Sequence, residues 1–548
     1  MPNGAGLLVA ALENEGVERV FGVPGEENLA VIEALRGSSI ELVVTRHEQP
    51  AAFMAATYGR LTGRPGVCLS TLGPGALNLA TGVAYAHLGA MPMIAITGQK
   101  AIRSSPQAGF QIVDVVATMR PITKWARQIA SAAAIPTIVR DAFRVAAEER
   151  PGPVHLELPE DIAAEEAAVA LVAPHPVERA VAPAAAIERA AAMIGAAERP
   201  LVMLGAAASR PWLAEALSDF VRRVGIPFFN TQMGKGAVSG GSNLYMGTAA
   251  LSERDYVHMA IDRADLILAI GHDTVEKPPF LMGPGGPKVI HVGFVPARVE
   301  QVFFPQAELV GDVGASLALL AGRLEGRLPR AQALLPLRGE ILAHIGEGAN
   351  GEKFPPTPQR IVHDVRGVIP EDGIVALDNG MYKIWFARNY RTRMANTLLL
   401  DNALATMGAG LPSAMMAAML HPERRVLAVC GDGGFMMNSQ ELETAVRLGL
   451  NLVVLVLEDH AYGMIRWKQA VDHFADWGLT FGNPDFVAYA RAFGAQGARV
   501  AETGALAPTL DAAFRAGGVH LVVTPIDYGE NVRVLVEELA GRVPAGVI

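Results

Sequence analysis

In the stretch VCGDGGFMMN an acidic side chain, Asp432, stands among Gly431, Gly433 and Gly434 directly after an apolar run. The next apolar run, NLVVLVLEDH, ends on two more carboxylates, Glu458 and Asp459. Bare glycines at a strand end let backbone N–H groups approach phosphate oxygens, helped by a helix N-terminus. A carboxylate among them repels a phosphate unless a cation lies between. The pattern therefore points to a divalent metal bridging the chain to a diphosphate, and magnesium favours one or two carboxylates plus phosphate oxygens. Glu458, 26 residues beyond Asp432, is the expected second ligand. Side chains alternate along a strand, so Glu458 and Asp459 should point to opposite faces. A backbone carbonyl near His460 should help complete the shell. In the competing arrangement Glu458 turns away, and Asp459 or water fills the place. A lone GDG would be only a tight turn; the succession of glycines, helix, strand and terminal carboxylates is more specific.

The elements that must hold these groups are parallel strands. The reading for the Asp432 segment is a buried strand ending at Cys430, a glycine turn, and a helix beginning near Ser439. Ligands of an open parallel sheet sit beyond the carboxyl ends of its strands. Short β-branched runs alternate with helix-period stretches along the whole chain, which predicts an α/β protein with parallel sheets covered on both faces. Strands are expected at 19–23, 41–45, 66–70, 91–97 and 153–159, then at 201–205, 226–230, 264–271 and 288–293, and finally at 374–380, 425–434, 451–459 and 519–527. An Ala/Pro-rich stretch at 163–186 and a breaker-rich one at 346–359 divide them into three units in tandem. Domains are expected at 1–165, 186–342 and 358–530, with a tail at 531–548.

With 548 residues the chain is too long for one core. A net charge of −9 without basic blocks argues against nucleic acid or an anionic membrane as partner. No apolar stretch suits a membrane span, and the start of the chain does not read as a signal peptide. The only cysteines, Cys68 and Cys430, lie within apolar runs and read as buried thiols of a reducing compartment. Together these features give the expectation of a soluble cytoplasmic protein.

The GDG stretch and its spacing to the next strand end resemble a thiamine-diphosphate (ThDP) binding motif. VFGVPGEEN (20–28), RHEQPAAFMAATYGRLTG (46–63), STLGPGALNLATGVAYA (70–86), FQIVDVVATMRPITKWA (110–126) and ATMGAGLPSAM (405–415) resemble the acetolactate synthases. ELETAVRL and PIDYGEN are similar to the catabolic, FAD-independent branch. The resemblance implies three doubly wound parallel-sheet domains: pyrimidine-binding, central and diphosphate-binding. It implies ThDP and Mg2+ as cofactors, 2-oxo acids as substrates, and a homodimer at least, with a homotetramer favoured. The implied activity is that of a carboligating transferase/lyase: two pyruvates condense to 2-acetolactate with loss of CO2.

The same resemblance assigns roles. Glu48 would hydrogen-bond the cofactor's aminopyrimidine and favour its reactive tautomer. Met407, beside Gly408 and Gly410, would wedge between the cofactor's rings. Pro24, Gly25, Gly73, Pro74 and Asn78 would line the pyrimidine. Asn379 and Gly380 would lie by the diphosphate with Gly431, Asp432, Gly433, Gly434, Tyr462, Gly463 and Met464. Related decarboxylases carry adjacent histidines that protonate the two-carbon fragment left after CO2 departs. Here Phe110 and Gln111 take their place, so the fragment should survive to meet a second 2-oxo acid. Gln111 would hydrogen-bond substrate, and Lys124 would hold a carboxylate near the entrance.

Three features depart from the relatives' pattern. Glu458 stands where asparagine is usual. Lys468, between Trp467 and Gln469, stands where tryptophan or glutamine is usual. The segment GHDTVEKPPF (271–280) lacks the arginine of flavin-containing members, and the central unit lacks a G-x-G-x-x-G turn, so neither FAD nor NAD is expected. Two other readings stand beside the first: a ThDP-dependent 2-oxo acid decarboxylase or a carboligase with another donor or acceptor, and a ThDP-binding protein without turnover.

Overall fold

The computed structural model describes residues 2–103, 108–176, 178–252, 254–277, 280, 282–283, 285–326, 328 and 330–537. The expected tail therefore lies outside the described residues from 538 on, as do two prolines of the 271–280 segment. The described chain forms three six-stranded sheets flanked by helices, with every pairing parallel. The first sheet holds β1 (Arg19–Gly22), β2 (Glu41–Val44), β3 (Gly66–Ser70), β4 (Met93–Gln99), β5 (Trp125–Gln128) and β6 (Pro153–Pro159), in the order β2-β1-β3-β4-β6-β5. The second holds β7 (Pro200–Leu204), β8 (Phe228–Thr231), β9 (Tyr245–Ala249), β10 (Leu266–Ile270), β11 (Lys288–Gly293) and β12 (Ala307–Val310), ordered β12-β11-β10-β7-β8-β9. The third holds β13 (Ile374–Leu377), β14 (Leu398–Leu399), β15 (Val426–Gly431), β16 (Leu452–Glu458), β17 (Gln496–Arg499) and β18 (Val519–Pro525), ordered β14-β13-β15-β16-β18-β17.

The inner strands are buried along their whole length, as β3, β4 and β6 illustrate. This is what unbroken apolar runs dictate when helices cover both faces of a sheet. Every strand expected from the sequence is present within a few residues. Those that were not anticipated are β5, β9, β12, β14 and β17, all of them at sheet edges.

The chain divides into two compact units. The first takes the residues up to Glu178 together with Leu404–Leu420 and Asn438–Leu448. The second takes Arg179–Ala403, His421–Met437 and the chain from Gly449 on. In the first unit, helix α1 (Glu48–Thr62) is sunk into the core on nearly every side. Its run of small residues allows this: a Cβ added to Gly82 of helix α2 (Gly73–Leu88) would stand 2.3 Å from the Ala52 Cβ. Gly63, at φ 73°, ends α1 in the left-handed conformation that glycine adopts without strain. Helix α3 (Ile135–Ala147) covers the same sheet with a strongly one-sided apolar face.

Two local expectations are corrected. No glycine loop follows β15. Asp432 itself opens helix α4 (Asp432–Asn438), and the helix expected near Ser439 follows as α5 (Glu441–Arg447). Among the described residues, the stretch from 165 to 183 carries no helix or extended strand, as expected of a linker, but a helix already begins at Ala184. Both cysteines are free and buried, and burial pushes the Cys68 thiol up to about 12. No helix among the described residues is long and apolar enough to cross a membrane.

Candidate active site

Glu48 is the first residue of α1, just beyond the carboxyl end of β2. The His47 Nδ1 caps this helix by accepting the Gln49 N–H at 3.1 Å. Glu48 is 9% exposed, and its Oε2 accepts the Asn78 Nδ2 at 3.0 Å. Its Oε1 faces Gly75, where a Cβ would lie 3.1 Å away. The turn before α2 depends on glycine twice. Gly73 has φ 41°, and a Cβ on it would stand 2.6 Å from the carbonyl oxygen of Gln111. Gln111 thus meets this turn through its backbone, while the residue itself is exposed at φ 56°. Gly25 packs against Thr71, and Pro24 is exposed beside it.

Two residues that the sequence did not single out hold this region in place. Glu441, fully buried, accepts the Arg46 N–H at 3.0 Å and the Thr444 hydroxyl at 2.6 Å, and burial pushes its carboxyl up to about 7. The Asn438 Nδ2 donates to the Gln49 Oε1 at 2.9 Å and to the Gly408 carbonyl at 2.8 Å. It thereby ties the residue after Glu48 to the turn that carries half-buried Met407, where Gly408 has φ 88°. No local signal in the sequence marks Asn438, the polar residue ending FMMN.

Lys124, expected near the entrance, meets the end of a helix in the structure. Its ammonium donates to the carbonyls of Val145 and, at 2.7 Å, Glu148, capping the end of α3. Burial holds its pKa below the usual lysine range.

The second group of residues gathers at the carboxyl ends of β13, β15 and β16. Asp432 is 1% exposed. Its Oδ1 accepts the Gly433 N–H at 2.9 Å. Its Oδ2 accepts the N–H groups of His460 at 2.8 Å and Asp459 at 3.2 Å, and the Asn483 Nδ2 at 2.7 Å. The carboxyl of Asp459 lies against that of Asp432, and burial together with this facing charge raises its pKa. Gly463, which opens helix α6 (Gly463–Val471), makes room for it: a Cβ there would stand 2.6 Å from the Asp459 Oδ2.

Glu458 does not join them. Its Oε2 accepts Arg499 Nη1 at 2.6 Å and its Oε1 accepts Nη2 at 3.4 Å. The strand ends at Glu458, and His460 turns back at φ 54°, so alternation along β16 does not govern Asp459. The His460 carbonyl accepts the Phe481 N–H at 3.2 Å, and its ring Nδ1 lies 3.2 Å from the Asn483 Nδ2.

Glycines interlock the neighbouring loops. A Cβ on Gly434 would lie 2.6 Å from the Asp378 Oδ2, whose Oδ1 accepts the Asn379 N–H at 2.8 Å. The Gly431 N–H donates to the Tyr382 hydroxyl at 2.9 Å, and Gly380 packs on the same ring. Gly433 lies under Tyr462 and Phe481, whose ring centroids are 5.0 Å apart, and Met464 packs on the core of this unit.

A divalent cation suits this arrangement. The buried Asp432 carboxyl and the half-buried Asp459 carboxyl are pressed together where a shared proton or a cation relieves their repulsion, and among the described residues the buried Asn483 Oδ1 has no partner. Among the described residues no three His, Cys, Asp or Glu side chains are grouped to hold a metal. Further oxygens would have to come from backbone, amide, water and phosphate, as magnesium commonly accepts.

Family models for thiamine pyrophosphate enzymes match in three places: the N-terminal TPP-binding domain over residues 2–118, the central domain over 187–320 and the C-terminal TPP-binding domain over 378–524. Fold and site thus define a thiamine-pyrophosphate (thiamine-diphosphate) enzyme. The catabolic acetolactate synthase of Raoultella terrigena is 36% identical over 539 residues, 96% of either chain. The acetolactate synthase of Bacillus subtilis is 34% identical, covering 98% of this chain and 95% of its own. The large subunit of acetolactate synthase isozyme 2 of Escherichia coli is 32% identical over 97% of both. The chain belongs to the acetolactate synthase family.

Proposed function

We propose that the protein joins two pyruvate anions and one proton into 2-acetolactate and carbon dioxide, using ThDP held through magnesium. The observation that carries this reading is the pair Asp432 and Asp459, pressed face to face beside interlocking glycine loops at the carboxyl ends of a parallel sheet. In this reading Asp432 and Asp459 hold the metal, with Asn483 beside them. Glu458 serves Arg499 instead.

When bound, ThDP supplies the electron sink for losing carbon dioxide from one 2-oxo acid and for joining the remaining fragment to a second. The chain's own groups do the rest. Glu48 holds the proton shared with the aminopyrimidine, and Asn78 fixes the carboxyl by taking its Oε2. With Phe110 and Gln111 in place of acidic donors, no histidine stands there to deliver a proton early. Met407 would pack against the bound cofactor.

A homodimer, and beyond it a homotetramer, belongs to the same proposal. Large apolar side chains on the site-bearing loops are left in water in a single chain: Phe110, Ile112, Ile465, Phe474 and Trp477. FAD is proposed absent, because the chain's own Glu276 and His272 stand beyond β7 and β10, where a doubly wound sheet takes a dinucleotide. There the Glu276 carboxylate accepts the Ala206 N–H at 2.7 Å, and Gly205 lies against His272. A cytoplasmic location is supported by the two free thiols.

The test is incubation with pyruvate, ThDP and magnesium, with acetolactate read as acetoin after acid treatment and acetaldehyde assayed in parallel. Acetaldehyde as the main product would replace this reading by that of a decarboxylase. Mixing Glu48→Gln with Asp432→Ala protein should restore part of the activity if sites form between chains, and a fully active monomer by sedimentation would exclude that.

A further inference from the structure

Strand β1 has β2 on one side and β3 on the other, so the chain leaves it in opposite directions and opens a gap beyond the carboxyl ends of β1 and β3. Two side chains bridge that gap: the Thr71 hydroxyl, after β3, donates to the Glu27 Oε2, after β1. The other oxygen of Glu27 lies 2.5 Å from the Lys100 Nζ, at the end of β4, and these two side chains are 2% and 4% exposed. From Thr71 the contacts run on. A Cβ on Gly75 would stand 2.9 Å from the Thr71 methyl and 3.1 Å from the Glu48 Oε1. A Cβ on Gly25 would stand 2.4 Å from the Thr71 Cβ. Glu27, Thr71, Gly75 and Glu48 are thus in unbroken contact.

We propose that the Lys100–Glu27 ion pair is a positioning device for Glu48: it fixes Thr71, and Thr71 sets the Gly73–Gly75 turn against the Glu48 carboxyl. This rests on the reading of Glu48 as the group that shares a proton with the cofactor. Stability is a poor reason for the pair, because desolvation offsets the attraction of buried ions and apolar residues of similar volume hold a fold as well. An apolar pair cannot orient a hydroxyl. A carboxylate whose second oxygen is pinned by a buried ammonium presents the Thr71 O–H with an acceptor in one direction only. The charge of Lys100 also acts on Glu26 and Glu160, so its loss would leave several acids facing one another as well as Glu27 unpaired.

The experiment compares Lys100→Met, the apolar double variant Glu27→Leu/Lys100→Met, Lys100→Arg and Thr71→Val with the parent. It reads melting temperature and deuterium uptake of segment 71–78 in cofactor-free protein, and kcat and KM for pyruvate in the holoenzyme. Lys100→Met should lose both stability and turnover, and Lys100→Arg should retain most of both. The double variant and Thr71→Val should keep the parental melting temperature, yet take up deuterium faster at 71–78. Their kcat should fall by about 10–100-fold, the scale of a misplaced catalytic group, with KM little changed. Parental uptake and a kcat within twofold in both variants would overturn the proposal. Glu48→Gln is run alongside: if it turns over normally, the reading of Glu48 is what fails, while the uptake data still judge the link between the ion pair and the turn.

Discussion

Arg499 on β17 grips Glu458 at the end of β16 with two guanidinium nitrogens, the nearer at 2.6 Å. The two strands are not neighbours; β18 lies between them. The pair therefore staples the carboxyl edge of the third sheet across an intervening strand, and it removes one carboxylate from the neighbourhood of Asp432.

Glu458→Gln should accordingly bind magnesium and ThDP within a few-fold of the parent. Asp459→Ala should weaken magnesium by about 10–100-fold or more, the range seen when groups of a metal site are removed. Titration of magnesium against ThDP binding measures both, and the opposite ranking would return Glu458 to the metal.

Magnesium binding should release a proton. Asp459, half-buried against Asp432, keeps its proton to a higher pH than a free carboxyl does. The metal must displace that proton, so apparent affinity should climb with pH by up to about tenfold per unit and level off once Asp459 ionises. Calorimetry in buffers of different ionisation enthalpy counts the proton. No release at pH 6 would mean that Asp459 is already ionised without metal.

Glu48→Gln should fold and bind ThDP but lose about 10²- to 10⁴-fold in kcat, the usual scale for a group that shares a proton in the reaction. A near-normal rate would remove Glu48 from the mechanism.

Lys124→Met should lower stability by about 0.5–1.5 kcal/mol, the net worth of a hydrogen bond, because the last carbonyls of α3 lose their cap. The rate with pyruvate should stay within twofold. A raised KM at parental stability would instead place Lys124 at the substrate.

Glu441→Gln should change how stability depends on pH. The folded protein holds the Glu441 proton up to about 7, whereas an unfolded chain releases it near 4.5. The folded state binds more protons across that window, so the parent loses stability as pH rises through it, by on the order of 3 kcal/mol for this group. The melting temperature of the variant should therefore gain on the parent between pH 5 and 8. A constant difference would show that Glu441 titrates normally.

The sequence made the middle of each sheet plain and hid the margins. An inner strand such as LVVLVLE must be apolar on both faces, and its composition announces it. An edge strand needs no such run. β17 is only Gln-Gly-Ala-Arg and half in water, and β14 is two residues long. The missed edge mattered, because β17 carries the arginine that claims Glu458. Asp432 stood out because glycines and a strand end mark it; Glu48 was singled out only by the family resemblance. The partners Asn438, Glu441 and Asn483 carry no local signal; each acts on a residue far away in the chain, and only the fold reveals it.

The make-up of the first compact unit also sets the tempo of its birth. Its last pieces, Leu404–Leu420 and Asn438–Leu448, are encoded far downstream of Glu178. A ribosome adding about 5–20 residues per second needs roughly 15–55 s to deliver them after Glu178. For that interval the nascent chain lacks Glu441 and Asn438, which secure the segment around Glu48. A fragment ending near residue 178 would stay in that unfinished state permanently, with the surface that Leu404–Leu420 and Asn438–Leu448 complete left exposed.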